Sequence, residues 1–309
     1  MIHQVFANRS NIGDWLSAKG IQRLLHPLPV TEHLCDEVFV AQTLAELSRV
    51  GRDDVVVIGG GGLFMDYFAS FWIGFAEISH RLRYCIWGAG YCDLKAEPSH
   101  PPLDVVRRVV DGSELCVVRD ELTRRYLDSD AVLAPVPCPS LVEIDAAPRG
   151  WGVLHVDNYT TVGVPAFEAM DAACQRYAAA TARPYRRTNN RIEPGREADL
   201  RKCLALYEQS DVVVSSALHG CVVAVAMGRP VLAVSGDRKI EGFMEAAGLG
   251  DWVLDAANLE HLSLQLEALP WQATVPEFVE QTRIENQAVA RRVCALAEAS
   301  SHGRGRELA

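Results

Sequence analysis

The sequence predicts an α/β protein with two domains, each built on a parallel β-sheet. Its 309 residues exceed the size at which a single hydrophobic core stops growing, about 250–300 residues. Short β-branched runs alternate with helical stretches along the chain, which is typical of βαβ units. The pattern restarts at Gly152, after a Pro-rich stretch at residues 135–139. We therefore predict two domains, residues 1–147 and 148–309.

Ten apolar or β-branched runs predict the strands of the two sheets. Several are apolar at every position, as expected when helices cover both faces of a sheet. The first domain has predicted strands at residues 5–7, 37–40, 55–58, 83–87, 115–118 and 131–134. The second has predicted strands at residues 152–156, 211–215, 231–235 and 252–254. Two Rossmann-like domains of this kind bind ligands in a central cleft, at the carboxyl ends of the strands.

A long helix is predicted near the end of the sequence. Thr274 and Glu277 form a capping box with Pro276 in the first turn, and the helix is predicted to run to about Ala299. Because this length exceeds what the second domain needs, we expect the helix to pack back on the first domain. Residues 300–309 are predicted to form a short polar tail.

Composition and charge exclude several classes of protein. A chain with 49% apolar residues is globular rather than disordered. A formal net charge of −10 disfavours a nucleic-acid partner. No stretch reaches the ~20 apolar residues of a membrane helix, and the start of the sequence does not resemble a secretory signal. With nine scattered cysteines that never adopt C-x-x-C spacing, the sequence predicts a cytoplasmic protein with reduced thiols.

A run of four glycines follows the predicted strand at residues 55–58. Glycine lets backbone N–H groups approach a phosphate or carboxylate closely. A tight turn, the alternative, would need only one or two glycines, so we predict a donor-binding loop that includes Gly60, Gly61 and Gly62. It is not a Walker A loop, because no Lys-Ser/Thr follows.

Two other strand ends of the first domain carry polar candidates. Asn11 and Asp14 lie between the first strand and a helix, where Asp14 is either the helix N-cap or a catalytic carboxylate at the mouth of the cleft. Arg119 and Asp120 follow the strand at residues 115–118, a position where ligand-binding residues collect. The alternatives for Arg119 are a helix-capping partner and a surface charge.

In the second domain, the strand at residues 211–215 places Ser215, Ser216 and His219 at its carboxyl end. The histidine falls in the first turn of a helix, where the helix dipole disfavours the imidazolium. Most lone histidines are structural, but this position favours a functional role.

Two groups of cations complete the candidates. Arg238 and Lys239 follow the strand at residues 231–235 and either bind an anion or cap a helix. Four arginines lie between residues 183 and 191. They are predicted to form no more than the solvated face of a loop, and the alternative is a loop that holds an acidic saccharide.

The ordered set of motifs resembles the polysaccharide pyruvyl transferase family. The segments that carry the resemblance are Asn11-x-Gly-Asp14, Ile58-Gly-Gly-Gly-Gly-Leu-Phe64, Gly88-x-Gly90, Val118-Arg-Asp120, Ser215-x-x-Leu-His-Gly220, Gly228-x-Pro230 and Lys239-x-x-Gly-Phe243. The resemblance implies a GT-B-like fold and transfer of the pyruvyl group of phosphoenolpyruvate to two hydroxyls of a saccharide, as a cyclic ketal. It implies donor-binding or catalytic roles for Arg119 and His219, with Asp14 and the glycine loop lining the cleft.

This chemistry needs cations for the donor and groups that move protons. Arg119, Arg238, Lys239 and the glycine loop are predicted to meet the negative charges of phosphoenolpyruvate. His219 and Asp14 are predicted to protonate the donor's methylene carbon and to deprotonate the acceptor. Beyond the donor substrate no cofactor is predicted, and no metal, because only Asp14 and Asp120 supply carboxylates near the cleft.

Two alternative functions share the same cleft. A GT-B glycosyltransferase would bind a nucleotide sugar there. Many members of the family carry an arginine two residues before the histidine, where this chain has Ala217. An inactive saccharide-binding homologue is therefore the second alternative. The acceptor's lipid linkage and a peripheral association with the membrane stay open.

Overall fold

The computed structural model describes residues 1–96, 101–193, 195–196, 198–270 and 273–303. Its strands in the first half of the chain are β1 (Ile2–Phe6), β2 (Val30–Leu34), β3 (Val55–Ile58), β4 (Gly61–Phe64), β5 (Tyr84–Trp87), β6 (Ala89–Tyr91) and β7 (Leu115–Val117). The strands in the second half are β8 (Val153–Val156), β9 (Tyr185–Thr188), β10 (Val212–Ser215), β11 (Val231–Ser235) and β12 (Val253–Asp255).

The helices alternate with these strands. They are α1 (Ile12–Leu25), α2 (Val40–Leu47), α3 (Ala69–Ser79), α4 (Leu103–Asp111), α5 (Glu121–Leu127), α6 (Ser140–Glu143), α7 (Tyr159–Val162), α8 (Val164–Ala180), α9 (Asp199–Glu208), α10 (Leu218–Ala226), α11 (Arg238–Ala246), α12 (Leu262–Ala268) and α13 (Pro276–Gly303). Short 3-10 helices span Asp66–Phe68 and Gly250–Trp252. None of the helices in the described part of the chain has the length and hydropathy needed to cross a bilayer.

The strands form two five-stranded parallel sheets, ordered β2-β1-β3-β5-β7 and β12-β11-β10-β8-β9. The central strand of each sheet, β3 in the first and β10 in the second, is buried at every position. Helices on both faces remove these strands from water, which accounts for their continuous valine and isoleucine runs. The predicted α/β class with parallel sheets is confirmed, whereas the boundary between residues 147 and 148 stays a prediction.

Two predicted strands are wrong, and four strands were not predicted: β2, β9, and the pair β4 and β6, which form a separate two-stranded sheet. Residues 37–40 form a turn and the start of α2, and Val38 is 80% exposed. Residues 131–134 contribute a single bridge, from Val132 to Cys116. The two missed strands in the five-stranded sheets, β2 and β9, lie at the edges. β9 corrects the prediction of a solvated loop, because it contains Arg186 and Arg187.

The final helix, α13, begins at Pro276 and runs four residues past the predicted end. Its side chains Val289, Ala290 and Val293 join a core cluster of the first half of the chain. Asn286 accepts a hydrogen bond from Trp87 Nε1 at 2.9 Å. The predicted polar tail is helical as far as Gly303, and its last six residues, 304–309, lie outside the described residues.

Two antiparallel bridges connect the halves of the chain at the cleft. In the first, Asn11 pairs with Arg191, and the neighbouring Ile12 N–H donates to the Asn190 carbonyl at 3.0 Å. In the second, Leu94 pairs with Asp237, and the Lys95 N–H donates to the Gly236 carbonyl at 3.1 Å. These backbone hydrogen bonds fix the two sets of strand ends against each other.

Candidate active site

A cavity of about 450 Å³ lies at the carboxyl ends of the strands, between the two halves. Helix starts and strand ends from both sheets line it, as expected for a ligand site in open α/β sheets. The lining residues are Asn8, Ser10, Asn11, Asp14, Asp36, Gly62, Met65, Tyr67, Phe68, Cys92, Leu94, Arg119, Asn158, Thr161, Arg191, Leu218, His219 and Lys239.

Asp14 lies in the first turn of α1, whose N-cap is Asn11 and not Asp14. The Asn11 side chain accepts from the Gly13 N–H at 3.0 Å, so the carboxylate of Asp14 is released from capping. It packs on Gly61, which has a φ of 96°, and a methyl group at that glycine would overlap the carboxylate. Burial raises the pKa of Asp14 to about 7, although Lys239, Arg119 and Arg191 oppose the shift.

His219 is the second residue of α10 and is 9% exposed. Its ring lies over Gly13, where any side chain would overlap it, and its Nε2 is 3.5 Å from Cys138 Sγ. Burial, followed by the charges of Arg119 and Lys239, lowers the pKa of His219 to about 3. The imidazole is therefore neutral in this cavity at physiological pH.

Arg119 lines the cavity from a buried position, with its side chain 4% exposed. Its Nε donates to Asp120 Oδ2 at 2.9 Å, and an Nη donates to the Tyr91 carbonyl at 3.3 Å. Asp120 is the N-cap of α5 and also accepts from the Thr123 N–H. The guanidinium of Arg119 is thus held in place by the carboxylate of Asp120, the N-cap of α5. Burial would lower the pKa of Arg119, but the negative charge of Asp120 raises it.

Two more cations reach the cavity from the second half of the chain. Lys239 Nζ forms an ion pair with Asp237 Oδ2 at 2.6 Å and donates a hydrogen bond to Cys92 Sγ at 3.1 Å. Arg191 is exposed at the opposite rim, where its backbone pairs with Asn11. Three positive charges therefore surround the carboxylate of Asp14.

Several predicted donor-binding residues do not line the cavity. Gly60 and Gly61 are buried behind it, against Ser17 and Asp14, and among the three predicted glycines only Gly62 faces it. Ser215 Oγ bonds the backbone of Ala217. Gly61 and Gly62 belong to β4, which pairs with β6, so this part of the glycine run is a strand. These glycines make room for side chains of the site.

Ser216 and Arg238 also lie outside the cavity. Ser216 Oγ accepts from the Asn158 N–H at 2.8 Å, which positions a cavity-lining residue. Arg238 pairs with Asp93 and lines a second cavity. Ser216 therefore bonds a lining residue, Asn158, and Arg238 pairs with Asp93, which lies between the lining residues Cys92 and Leu94.

The second cavity, of about 690 Å³, lies behind the first and shares Arg119 and Leu218 with it. Its floor is apolar, with Pro137, Val222 and Phe243, and its rim carries charges from α5 and α11. It contains neither Asp14 nor His219, which both line the smaller cavity.

Sequence reasoning missed Cys92, Asn158 and Arg191 as cavity residues. Cys92 was grouped with the core thiols, and all nine cysteines are free. The arginine was assigned to a solvated face, although its place after the basic strand β9 was the available signal. Among the described residues, no group of three or more His, Cys, Asp or Glu is arranged to hold a metal ion.

A protein-family model matches most of this chain. The model of the polysaccharide pyruvyl transferase family matches residues 6–238 of the 309. The chain belongs to this family. It is therefore a pyruvyl transferase family protein by sequence, and a transferase by class. No curated protein matches it.

Solved structures with the same fold include UDP-GlcNAc 2-epimerases. The enzyme from Methanocaldococcus jannaschii, in complex with UDP-GlcNAc and UDP, has a TM-score of 0.56 and 11% identity, covering 95% of this chain and 99% of that one. MnaA of S. aureus with UDP has a TM-score of 0.57 and 10% identity, covering 89% and 91%. An uncharacterized Klebsiella pneumoniae protein has a TM-score of 0.52 and 13% identity, covering 82% and 91%. These similarities confirm the GT-B-like arrangement of two Rossmann-like domains.

Proposed function

We propose that this pyruvyl transferase family protein transfers the pyruvyl group of phosphoenolpyruvate to a saccharide, as a ketal, during synthesis of an exopolysaccharide or cell-surface glycan. The observation that carries the proposal is the cavity in which Arg119, Arg191 and Lys239 surround Asp14. A small donor with a phosphate and a carboxylate needs several cations and a group that exchanges protons near neutral pH.

The donor's two anionic groups fit the cations of the cavity. Arg119 and Lys239 are already held by Asp120 and Asp237, so little side-chain freedom is lost when the donor binds. Arg191 is more exposed and adds a charge at the rim. These three cations bring positive charge to one cavity of a protein whose net charge is −10.

Proton transfer is assigned to Asp14. A carboxyl group with a pKa of about 7 exists in both protonation states at neutral pH, which suits a general base for the acceptor hydroxyl. The neutral His219 is assigned a hydrogen-bonding role, since a pKa of about 3 leaves its ring without the second proton that an imidazolium acid would give up in the empty site. A bound phosphate would raise that pKa and strengthen the contact.

The overall reaction balances without an oxidant or a cofactor. Two acceptor C–O bonds form at the donor's C2, a C–H bond forms at its methylene carbon, and the C2–O bond to phosphate breaks. Of the two hydroxyl protons, one replaces the proton given to the methylene carbon and the other leaves with phosphate. Phosphoenolpyruvate and nine reduced thiols fit a cytoplasmic reaction, on an acceptor whose lipid linkage is open.

The test is incubation of the purified protein with phosphoenolpyruvate and a panel of saccharide acceptors, including lipid-linked ones. We expect acceptor-dependent release of inorganic phosphate and a ketal-bearing product by mass spectrometry. Release of UDP from a UDP-sugar, with none from phosphoenolpyruvate, would favour a GT-B glycosyltransferase. Acceptor binding with no turnover of either donor would favour the inactive homologue.

A further inference from the structure

The wall of the smaller cavity contains a thiol that the proposed mechanism has not used. Cys92 directly follows β6 and is 4% exposed. Its Sγ accepts a hydrogen bond from Lys239 Nζ at 3.1 Å, and its S–H points to the Gly62 carbonyl at 3.8 Å. The thiol is therefore adjacent to a cation that is assigned to the donor.

The backbone makes room for this sulfur. A methyl group at Gly62 would overlap Cys92 Sγ, so the strand that passes the thiol must carry glycine there. The same strand, β4, seats Asp14 on Gly61. Neighbouring glycines of one strand thus accommodate a carboxylate and a thiol in the same cavity.

Ketal formation needs a proton at the methylene carbon in the step in which Asp14 takes one from the acceptor. Asp14 acts as the base in that step and cannot also be the acid, and the imidazole of His219, neutral in the empty cavity, is assigned a hydrogen bond instead. Resting on the proposed function, we propose that the Cys92 thiol delivers this proton, assisted by Lys239.

In the first half of the reaction the S–H bond of Cys92 breaks and a C–H bond forms at the methylene carbon. The acceptor oxygen bonds to C2, and its proton passes to Asp14. The second hydroxyl then attacks C2 as the bond to phosphate breaks. One hydroxyl proton restores the thiol and the other leaves with phosphate.

The charges around Cys92 suit this cycle. Burial raises the pKa of the Cys92 thiol, an effect that Lys239 and Arg119 oppose and Asp237 adds to, so the thiol is protonated at neutral pH. Once the proton has left, the ammonium of Lys239 at 3.1 Å is in place to stabilise the thiolate. The site therefore keeps the Cys92 thiol protonated before the transfer and stabilises its thiolate afterwards.

The experiment compares Cys92→Ser and Cys92→Ala with Cys294→Ser, a control at a partly buried cysteine on α13. We expect both Cys92 variants to lose ~10²–10⁴ in turnover, while phosphoenolpyruvate affinity by calorimetry and thermal unfolding stay at the wild-type values. The Cys294 variant keeps full turnover. In the wild type, the rate falls on the alkaline side as the thiol ionises, and this limb is absent from the residual activity of Cys92→Ser.

Wild-type turnover in Cys92→Ser, or an unchanged alkaline limb, would overturn the role of Cys92 while the proposed function stands. Absence of phosphoenolpyruvate-dependent phosphate release from the wild type would overturn both. If the two Cys92 variants fail to fold, the wild-type alkaline limb decides, because its absence contradicts an acid that ionises there.

Discussion

Two carboxylates with similarly low solvent exposure have pKa values shifted in opposite directions. They are Asp14 in the cleft and Asp211 beside the connection between the halves. They are 8% and 1% exposed. Burial raises the pKa of both, but at Asp211 the Gly152 N–H, Arg183 and Arg149 together outweigh it and hold the pKa below its ordinary value. At Asp14 burial prevails and the pKa is about 7.

The difference is hydrogen bonding. Asp211 accepts from the Gly152 N–H at 3.0 Å and from Arg149 and Arg183 at 3.1 Å. Asp14 has three cations nearby, yet no described residue donates a hydrogen bond to its carboxylate. A buried carboxylate without donors is costly to the fold, which is why this one is the candidate for function.

The largest expected effect is on turnover at Asp14. Asp14→Asn removes the base and should lower turnover by ~10²–10⁴, with the affinity for phosphoenolpyruvate unchanged or higher, because a negative charge has been removed from an anion site. Acceptor-dependent phosphate release and calorimetry measure the two quantities. Turnover within threefold of the wild type, about 0.6 kcal/mol, would exclude Asp14 as the base.

Asp211 is expected to affect stability instead. Asp211→Asn removes the buried charge with which Arg183 pairs, and the free energy of unfolding should fall by ~3 kcal/mol. Urea unfolding measures it. Donor affinity of the folded variant should equal that of the wild type, and a lower affinity would mean that the two carboxylates are coupled.

Asp14→Asn should also stabilise the empty protein. Between its ordinary value of 3.8 and about 7 the carboxyl binds its proton only in the folded state, so its contribution to stability falls as pH rises through this range. The variant should be more stable than the wild type by ~2–4 kcal/mol at pH 8 and equally stable near pH 4. Urea unfolding at both values gives the result, and an equal difference at the two pH values would contradict the shifted pKa.

The smallest effect is expected at the rim. Arg191→Met removes an exposed cation and should weaken phosphoenolpyruvate binding about 10-fold, or ~1.4 kcal/mol. Arg187→Met is the matched control, because Arg187 pairs with Asp157 and Asp171 and does not line the cavity. Equal losses in the two variants, measured by calorimetry at one salt concentration, would point to a long-range charge effect.

The sequence was sufficient for the central strands and insufficient at the edges of the sheets. β3 is apolar throughout and β10 is apolar up to Ser215, because both of their faces are covered. The edge strands β2 and β9 carry polar residues, Glu32 in β2 and two arginines in β9, which remain partly or fully exposed to solvent at the open edge of a sheet. Without an apolar run they gave no strand signal, and the exposed Val38 and Phe39 gave a false one.

The candidate site also contains residues that the sequence predicts and residues that it does not. Strand ends correctly brought Asp14, Arg119, His219 and Lys239 to one cavity. Arg191 arrives through its bridge to Asn11, a pairing distant in sequence that no local pattern records. The role of the glycines also depends on the folded structure, because the side chains that they accommodate come from other elements.

The position of α13 has a consequence for biosynthesis. Helix α13 supplies Val289, Ala290 and Val293 to a core that also contains Ile2, Ile21 and Trp87. A ribosome releases the start of this protein long before the residues that complete its packing, and domains otherwise fold as units in the order of synthesis. The nascent first half therefore carries an uncovered apolar face until residues 289–293 have been synthesised.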